Sequence, residues 1–361
     1  MVISPIIIVM IIYKLIAYTN NNEDYDYTWD YSVKNTSGKS KNRNSIDGKH
    51  REMHVFGFGD SDKKNISDLL KANVEWTAVV PFIYQKNEQS KQISVPNKIG
   101  HWTKKDSSFI EIMDQFHNSG LRVMLKPHLW LSDGSRSNIN LSSKKEWNAW
   151  FVSYRQNMIH YAKLAEQSNV ELLCIGTELR TSIKQQPKAW DSLIEEIKEV
   201  YSGKLTYAAN WDEENELLAF WKKLDYIGIQ AYFPLTENKN TDLETIKKGW
   251  NQHIIKLEAM SKKYNRPILF TEVGYKSETS ATVDPWEWNS LFRKLIRKKS
   301  NRTQQLAYEA LFQSVWGKDW FAGIYVRQWS FRSQKENAPK NLDFSPRFKP
   351  AENTIAKWFD K

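Results

Sequence analysis

Two glutamates of this 361-residue chain directly follow short apolar runs, where a carboxylate on an exposed helix surface would not be expected. Glu178 follows ELLCIGT (171–177) and Glu272 follows PILFT (267–271). A single glutamate at a strand end is more often a salt-bridge partner than a catalyst. A pair can divide the work of glycosidic cleavage, because one carboxyl protonates the leaving oxygen while the other captures the developing oxocarbenium carbon. The two residues therefore favour hydrolysis of a glycosidic bond.

The stereochemical outcome of such cleavage depends on how far apart the two carboxyl groups lie. Retaining enzymes hold them about 5–5.5 Å apart, so that one can attack the sugar directly. At that distance the charge of Glu272 would keep Glu178 protonated and ready to act as an acid. Glu272 would stay charged if hydrogen-bond donors face it, and Tyr232 is a candidate donor.

The elements that must position these residues alternate between short apolar runs and amphipathic helical stretches from about Arg51 onward, which is typical of repeated β-α units on a parallel sheet. We predict eight strands, at residues 54–58, 76–84, 121–127, 171–176, 204–209, 226–231, 267–271 and 323–329. An open doubly wound sheet is the alternative, but no glycine-rich phosphate loop follows the first strand. The predicted fold class is therefore α/β, as a single (β/α)₈ TIM barrel whose active site lies at the C-terminal ends of the strands.

The N-terminal part of the chain differs in composition from the predicted barrel. Residues 2–17 (VISPIIIVMIIYKLIA) are apolar, and we assign residues 1–18 to a signal peptide or membrane anchor. Residues 19–50 are rich in Asn, Asp, Ser and Lys without any periodicity, and we predict that they form a flexible, disordered linker. The catalytic domain would then span 51–361, and the protein would be secreted, periplasmic or anchored in a membrane.

The composition excludes some classes of function and favours others. The chain has 16 Trp, 16 Tyr and 16 Phe, and flat aromatic faces suit a sugar-binding cleft, although many of these rings will fill the core. The net charge of +10 comes from scattered lysines, with one concentrated stretch at 293–302, and no nucleic-acid motif accompanies it. The single cysteine, Cys174, lies in an apolar run and is expected to be a small buried residue rather than a nucleophile.

Further polar and aromatic residues that could contact a substrate lie at or just beyond the other predicted strand ends: Gln85, His128, Trp130, Asn210 and Trp211. His128 is interpreted as a ligand for a sugar hydroxyl rather than a structural histidine. A metal site is not predicted, since no second His stands at ligand spacing. The amide of Asn210 would contact the substrate or cap the helix that follows. Gln230 is expected to point away from the site, and Asp60 is expected to cap a helix.

Several segments of the chain resemble clan A of the retaining glycoside hydrolases, and within it glycoside hydrolase family 113, whose known members are chiefly β-mannanases. The segments are LKPHLWL (125–131), IGTEL (175–179), YIGIQAYFPL (226–235), PILFTEVGY (267–275) and YVRQW (325–329). The resemblance implies that Glu178 is the acid/base and Glu272 the nucleophile. It also implies that Tyr232 orients the nucleophile and that Trp329 is the platform beneath the sugar. Thr177 stands where much of the clan has the Asn that binds the sugar 2-hydroxyl.

The leading hypothesis is a retaining, endo-acting enzyme on β-1,4-mannan or mannooligosaccharides, in which mannose is implied only by the family resemblance. It needs no cofactor and no metal, does not bind nucleic acid, and is expected to be a monomer. A first alternative is a retaining enzyme on another β-linked polysaccharide, a glucan or a xylan. A second is a catalytically silent barrel that binds polysaccharide, and a third, less favoured, is a metal-dependent hydrolase.

Overall fold

Eight parallel strands close into a barrel with helices between them, as predicted from the alternating pattern. The computed structural model describes residues 31–56, 63–94, 106–212, 214, 218–239, 241–287, 297–331 and 334–361. The strands are β1 His50–Phe56, β2 Trp76–Val79, β3 Phe82–Gln85, β4 Arg122–Leu125, β5 His128–Leu131, β6 Leu172–Thr177, β7 Lys204–Asn210, β8 Ile227–Gln230, β9 Ile268–Val273 and β10 Phe321–Ser330. Around the barrel they run β1-β10-β9-β8-β7-β6-β4-β2, and β1 pairs with β2 to close it.

The predicted strand at 76–84 is wrong as a single element, because the structure divides it into β2 and β3. Pro81 lies at the break, and Pro127 lies at the matching break between β4 and β5. Proline has no N–H to donate to a ladder, so a strand rarely continues through it unchanged. Beyond the two prolines, β3 and β5 form a separate two-stranded sheet that extends the barrel rim.

The helices cover the outside of the barrel. They are α1 Asn44–Asp47, α2 Lys63–Lys71, α3 Asp106–Asn118, α4 Lys144–Gln167, α5 Arg180–Gln185, α6 Pro187–Val200, α7 Leu243–Tyr264, α8 Asn301–Val315 and α9 Pro350–Phe359. Side chains cap the longer ones: Ser143, Asp242 and Ser300 each accept the backbone N–H three residues on, which satisfies a donor that the helix cannot. Within the described ranges, no helix is long and apolar enough to cross a membrane.

Apolar side chains pack on both faces of the barrel strands. One cluster lies inside and includes Trp76, Met124, Leu172 and Cys174, while a larger one packs the strands against the helices. Cys174 is fully buried, as expected, and burial raises the pKa of its thiol. Such a thiol is a poor nucleophile.

The first strand and the segment before it differ from the prediction. Strand β1 runs over His50–Phe56 rather than 54–58, and residues 57–60, including Asp60, lie outside the described ranges. Part of the predicted linker is folded against the barrel, since the Glu75 carboxylate accepts the backbone N–H groups of Arg43, at 2.5 Å, and Asn44, at 2.8 Å. A buried carboxylate needs such donors, and this need orders the segment. Residues 1–30, with the predicted signal or anchor, are not among the described residues.

Candidate active site

Glu272 lies within strand β9, not past its end as predicted, because β9 continues to Val273. The residue pairs with Gln230 of β8, and the carbonyl of Glu272 accepts the N–H of Ala231 at 2.6 Å. The side chain is buried, with 7 % of the residue exposed. A carboxylate carried by a hydrogen-bonded strand has little freedom to move, so its direction is set by the barrel.

Both oxygens of the Glu272 carboxylate accept hydrogen bonds from other strands or their ends. Oε1 accepts from the Tyr232 hydroxyl at 2.5 Å and from Nη1 of Arg327 at 2.5 Å. Oε2 accepts from Nζ of Lys126 at 3.2 Å and from Nε2 of Gln230 at 3.3 Å. Two of the four donors are cations, and charge-assisted bonds of this kind are stronger than neutral ones.

These neighbours decide the protonation state of Glu272. Burial by itself raises the pKa of its carboxyl, but the charges of Arg327 and Lys126 outweigh burial and hold that pKa well below its usual value. Burial and the nearby Glu272 charge raise the pKa of Tyr232. Its hydroxyl therefore stays protonated and donates a hydrogen bond to the carboxylate. Glu272 is thus an anion at neutral pH with fixed partners, as a nucleophile requires.

Glu178 lies in a different setting, one residue beyond the end of β6. Its backbone has φ = 52°, in the left-handed region that non-glycine residues seldom occupy. Neighbouring segments hold this turn: the N–H of Glu178 donates to the carbonyl of Ala208 at 3.0 Å, and Ser137 Oγ donates to the carbonyl of Glu178 at 2.9 Å. Non-glycine residues are kept in this conformation only where the surroundings demand it, often at functional sites.

Within the described ranges, the carboxylate of Glu178 forms an ion pair with one cation. Nη2 of Arg136 donates to Glu178 Oε2 at 2.5 Å, and the two side chains are 21 % and 18 % exposed. Arg136 begins a short 3₁₀ turn, Arg136–Asn138, in the loop after β5. Glu178 is therefore within reach of solvent, paired with a residue that belongs to a loop and not to the barrel wall.

The two glutamates lie at the C-terminal ends of β6 and β9, which β7 and β8 separate in the barrel wall. One is a buried anion with fixed donors, and the other is a partly exposed carboxyl. Catalytic residues of TIM barrels come from this end of the strands. The arrangement suits a reaction in which one carboxyl attacks and the other transfers a proton.

The sequence model of glycoside hydrolase family 113 matches residues 58–349, a range that contains Glu178 and Glu272. The chain belongs to glycoside hydrolase family 113. Among curated proteins, no sequence matches it.

Solved structures similar to this family 113 chain share its barrel. A structure titled as a complex of a family 113 β-1,4-mannanase has 24% identity and a TM-score of 0.76, covering 86% of this chain and 99% of its own. The family 113 β-mannanase AaManA from Alicyclobacillus acidocaldarius also has 24% identity, with a TM-score of 0.75 and coverage of 86% and 96%. A β-glucuronidase from Faecalibacterium prausnitzii has 13% identity and a TM-score of 0.56, covering 86% of this chain and 48% of its own. These likenesses support the (β/α)₈ fold.

Three residues around Glu272 were missed or misjudged from the sequence. Gln230 was expected to point away, which is wrong: it contacts Glu272, and its Oε1 accepts from Lys126 at 3.1 Å. Residues two apart on a strand share a side, so Gln230 faces the same way as Tyr232. Lys126 and Arg327 were not singled out, although both stood inside the segments that carried the family resemblance. A charged residue within an otherwise apolar run was the signal that could have found them.

Trp329 does not lie where a platform beneath a sugar would be. Its side chain is fully buried in the cluster between strands and helices, with the guanidinium of Arg347 5.4 Å from the ring centre. The pairing of β1 with β10 explains this, since His54 pairs with Arg327 but the next residue, Val55, pairs with Trp329. The extra residue is a β-bulge, which reverses the in–out alternation beyond it. Arg327 faces the site as a result, and Trp329 faces outward.

The aromatic residues predicted near the site are in part available to a ligand. Trp130, at the rim on β5, is 51% exposed and makes an edge contact with Phe82. Burial, with the charges of Arg136 and Lys126, lowers the pKa of His128 well below its usual value. His128 is therefore neutral and can both donate to and accept from a hydroxyl. Trp211 lies against Trp286, with ring centres 5.1 Å apart.

Two predicted ligands have side chains that make hydrogen bonds within the protein. Gln85 is buried, its Oε1 accepts from the indole N–H of Trp150 at 2.8 Å, and its Nε2 donates to the carbonyl of Asn87 at 2.7 Å. Gln85 therefore holds the two-stranded sheet of β3 and β5 against α4, and both ends of its amide are engaged. Asn210 Oδ1 accepts the N–H of Trp211 at 2.9 Å, which shapes the turn after β7.

Two negative predictions concern metals and nucleic acids. Among the residues that the structure describes, no three His, Cys, Asp or Glu side chains gather as a metal site would require. Of the basic stretch 293–302, residues 293–296 lie outside the described ranges, and Arg297 pairs with the buried Glu278 at 3.2 Å. Part of this positive charge is thus neutralised within the protein.

Proposed function

We propose that this chain is a retaining glycoside hydrolase that cleaves β-1,4-linked mannan or mannooligosaccharides by double displacement. The observation that carries the proposal is the Glu272 carboxylate, an anion held by four donors within a chain of glycoside hydrolase family 113. Membership of the family supports carbohydrate hydrolysis, and the charge and fixed position of Glu272 support its role as the attacking group.

In the first step, Glu272 Oε attacks the anomeric carbon while Glu178 gives its proton to the leaving oxygen. The glycosidic bond breaks, a covalent glycosyl ester forms on Glu272, and the shortened chain leaves as an alcohol. Glu178 must hold a proton at this moment, so Arg136 has to release its carboxylate as the substrate enters. Lys126 and Arg327 then stabilise the charge that Glu272 regains when the ester is opened.

In the second step, a water molecule attacks the same carbon from the opposite face to the ester. Glu178, now a carboxylate, takes the proton of the water, and Glu272 leaves as an anion. Two inversions give net retention of the β-configuration. One residue thus acts as acid and then as base, which requires it to gain and lose a proton in each turnover.

Specificity for mannose is supported by the similar structures, two of which are titled β-mannanases of the same family. Trp130, exposed at the rim, and the neutral His128 can supply a stacking face and a hydroxyl partner. Glucan and xylan differ from mannan at the 2-hydroxyl or at C5, so a substrate panel separates the three.

The test is the release of reducing sugar from mannan, glucomannan, xylan and β-glucan, followed by proton NMR of the first product. We expect mannan and glucomannan to be cleaved and the β-anomer to appear before mutarotation. Preferred cleavage of xylan or β-glucan would contradict the sugar assignment. An α-anomer as the first product would contradict the retaining mechanism, and binding without cleavage would indicate a silent barrel.

We also propose that the apolar N-terminal segment directs export and places the enzyme outside the cytoplasm or on a membrane. Its support is the composition of residues 2–17. Fractionation of cells that produce the full chain, with and without residues 1–18, is the test. Loss of the enzyme from the exported or membrane fraction on deletion is expected, and an unchanged distribution would contradict the assignment.

A further inference from the structure

Glu214 is a buried carboxylate near the site that the two-step reaction does not use. It follows β7, and its exposed fraction is 0%. Its Oε1 accepts from the Tyr207 hydroxyl at 2.7 Å, and its Oε2 accepts the backbone N–H of Asn210 at 3.0 Å. Both oxygens are therefore engaged, in a pattern that suits the ionised form.

The Tyr207 hydroxyl connects Glu214 to the backbone of the acid/base. While it donates to Glu214, its oxygen accepts the N–H of Leu179 at 2.5 Å. Burial and the nearby Glu214 raise the pKa of Tyr207 well above its usual value. Its hydroxyl therefore stays protonated and acts as the hydrogen-bond donor to Glu214. Leu179 directly follows Glu178, and the chain of bonds thus ends at the peptide next to the catalytic carboxyl.

The turn at Glu178 needs such support because its backbone is in the left-handed region. A non-glycine residue is strained in this conformation, and it relaxes unless neighbouring hydrogen bonds prevent it. Three hydrogen bonds hold the turn. The N–H of Glu178 donates to the carbonyl of Ala208, the carbonyl of Glu178 accepts from Ser137 Oγ, and the N–H of Leu179 donates to the Tyr207 hydroxyl. Only the last of them is made to a side chain with a buried charged partner.

We propose that Glu214 is a positioning residue for the acid/base: through Tyr207 it holds the left-handed turn that aims the Glu178 carboxyl at the leaving oxygen. This role rests on the proposed function of Glu178. It extends the active site by two buried residues of the β7 segment, neither of which touches the substrate.

The charges around Glu214 agree with this role. Burial raises the pKa of Glu214 to about 7, with a smaller contribution from the charge of Glu178, while the Asn210 N–H, the Tyr207 hydroxyl and the charge of Arg180 act in the opposite direction. Among the described residues, the other charged groups of this region include Arg136, which pairs with Glu178, and Asp212, which pairs with Arg180. Above neutral pH Glu214 is ionised and accepts from both the Tyr207 hydroxyl and the Asn210 N–H.

The test compares two reactions that differ in their need for an acid. Glu214→Gln and Tyr207→Phe should each lower kcat/KM for mannotetraose by about 10²-fold, since a misplaced catalytic group costs this much. With 2,4-dinitrophenyl β-mannotrioside, whose leaving group needs no proton, kcat/KM should stay within about threefold of the wild type. The glutamine cannot accept from both Tyr207 and the Asn210 N–H, so it breaks the network without changing size.

The double variant and a matched control complete the experiment. Because Tyr207 and Glu214 act as one unit, the double variant should lose no more than either single variant. Glu75→Gln is the control. Glu75 is also buried and accepts two backbone N–H groups, but these belong to Arg43 and Asn44, in the segment that precedes β1. It should lower Tm and leave the ratio of the two kcat/KM values unchanged.

The outcomes separate this role from the function on which it rests. If Glu214→Gln loses both reactions equally, or if the two single effects add in the double variant, the positioning role is refuted while the hydrolase stands. A wild type that cleaves neither mannoside refutes the proposed function and this role with it.

Discussion

The two candidate catalytic carboxyls occupy contrasting surroundings at the same end of the barrel. Glu272 is part of strand β9, is buried, and accepts hydrogen bonds from four side chains that include two cations. Glu178 lies beyond the end of β6 on a left-handed turn, is partly exposed, and pairs with one arginine from a loop. The first is held by the barrel itself and the second by the loops around it.

The difference matches what each group has to do. A nucleophile must remain charged and aimed at one carbon, so a rigid strand and fixed cations suit it. A group that gains and loses a proton in each cycle must reach solvent and cannot be locked into one charge state. The barrel wall therefore holds the nucleophile in one position and one charge state, whereas the loops allow the acid/base to change its protonation state.

The largest effect is expected from removing either carboxyl. Glu272→Ala and Glu178→Ala should each lower kcat/KM on mannooligosaccharides by about 10⁴- to 10⁶-fold. Added azide should rescue Glu272→Ala to an α-glycosyl azide, because azide enters in place of the nucleophile. It should convert Glu178→Ala to a β-glycosyl azide, because there it replaces the activated water. NMR of the two azides makes the assignment, and products of the reverse hand would show that the two roles are exchanged.

The next effect concerns the fixed cations around the nucleophile. Arg327→Met removes a charge that lowers the pKa of Glu272, so that pKa should rise. Activity is lost as pH falls through this pKa, and the acid limb of kcat/KM should therefore move to higher pH. The pH profile measures it. Arg155→Met, which breaks the Arg155–Glu196 pair on the outer helices, is the control and should leave the limb in place.

A smaller effect is expected from the loop cation. Arg136→Gln removes the ion pair with Glu178, which is partly exposed and worth about 1 kcal/mol or less, so kcat/KM at pH 7 should change by no more than about fivefold. In Glu178→Gln the alkaline limb of kcat/KM should disappear. A loss of kcat/KM as large as that of Arg327→Met at the same pH would show that the two carboxyls are held equally firmly.

The smallest effect is expected from removing residues at the N-terminus. A variant that lacks residues 1–30 should keep the wild-type kcat/KM and Tm. Removal of residues 1–49 should lower Tm by roughly 5–10 °C, because Glu75 would lose the N–H groups of Arg43 and Asn44. Thermal melting measures both, and equal Tm values for the two variants would contradict the ordered segment.

Local patterns in the sequence were sufficient for the barrel and for the two glutamates. Apolar runs bounded by helices predict strands wherever they occur, and polar residues that follow such runs belong to one end of a parallel barrel. The burial of Cys174 and the location of Glu178 and Glu272 near strand ends could therefore be predicted without the three-dimensional structure. The break at Pro81 was also readable in principle, since a proline cannot continue a central strand unchanged.

What only the tertiary structure decided is which side chains meet. Lys126, Gln230 and Arg327 come from three strands far apart in the chain, and closure of the barrel brings them to Glu272. The bulge in β10 turned Trp329 outward, and a one-residue bulge leaves no mark on composition or spacing. Sequence patterns report the environment of each residue along its own strand, whereas contacts across the barrel depend on register between strands, which folding alone sets.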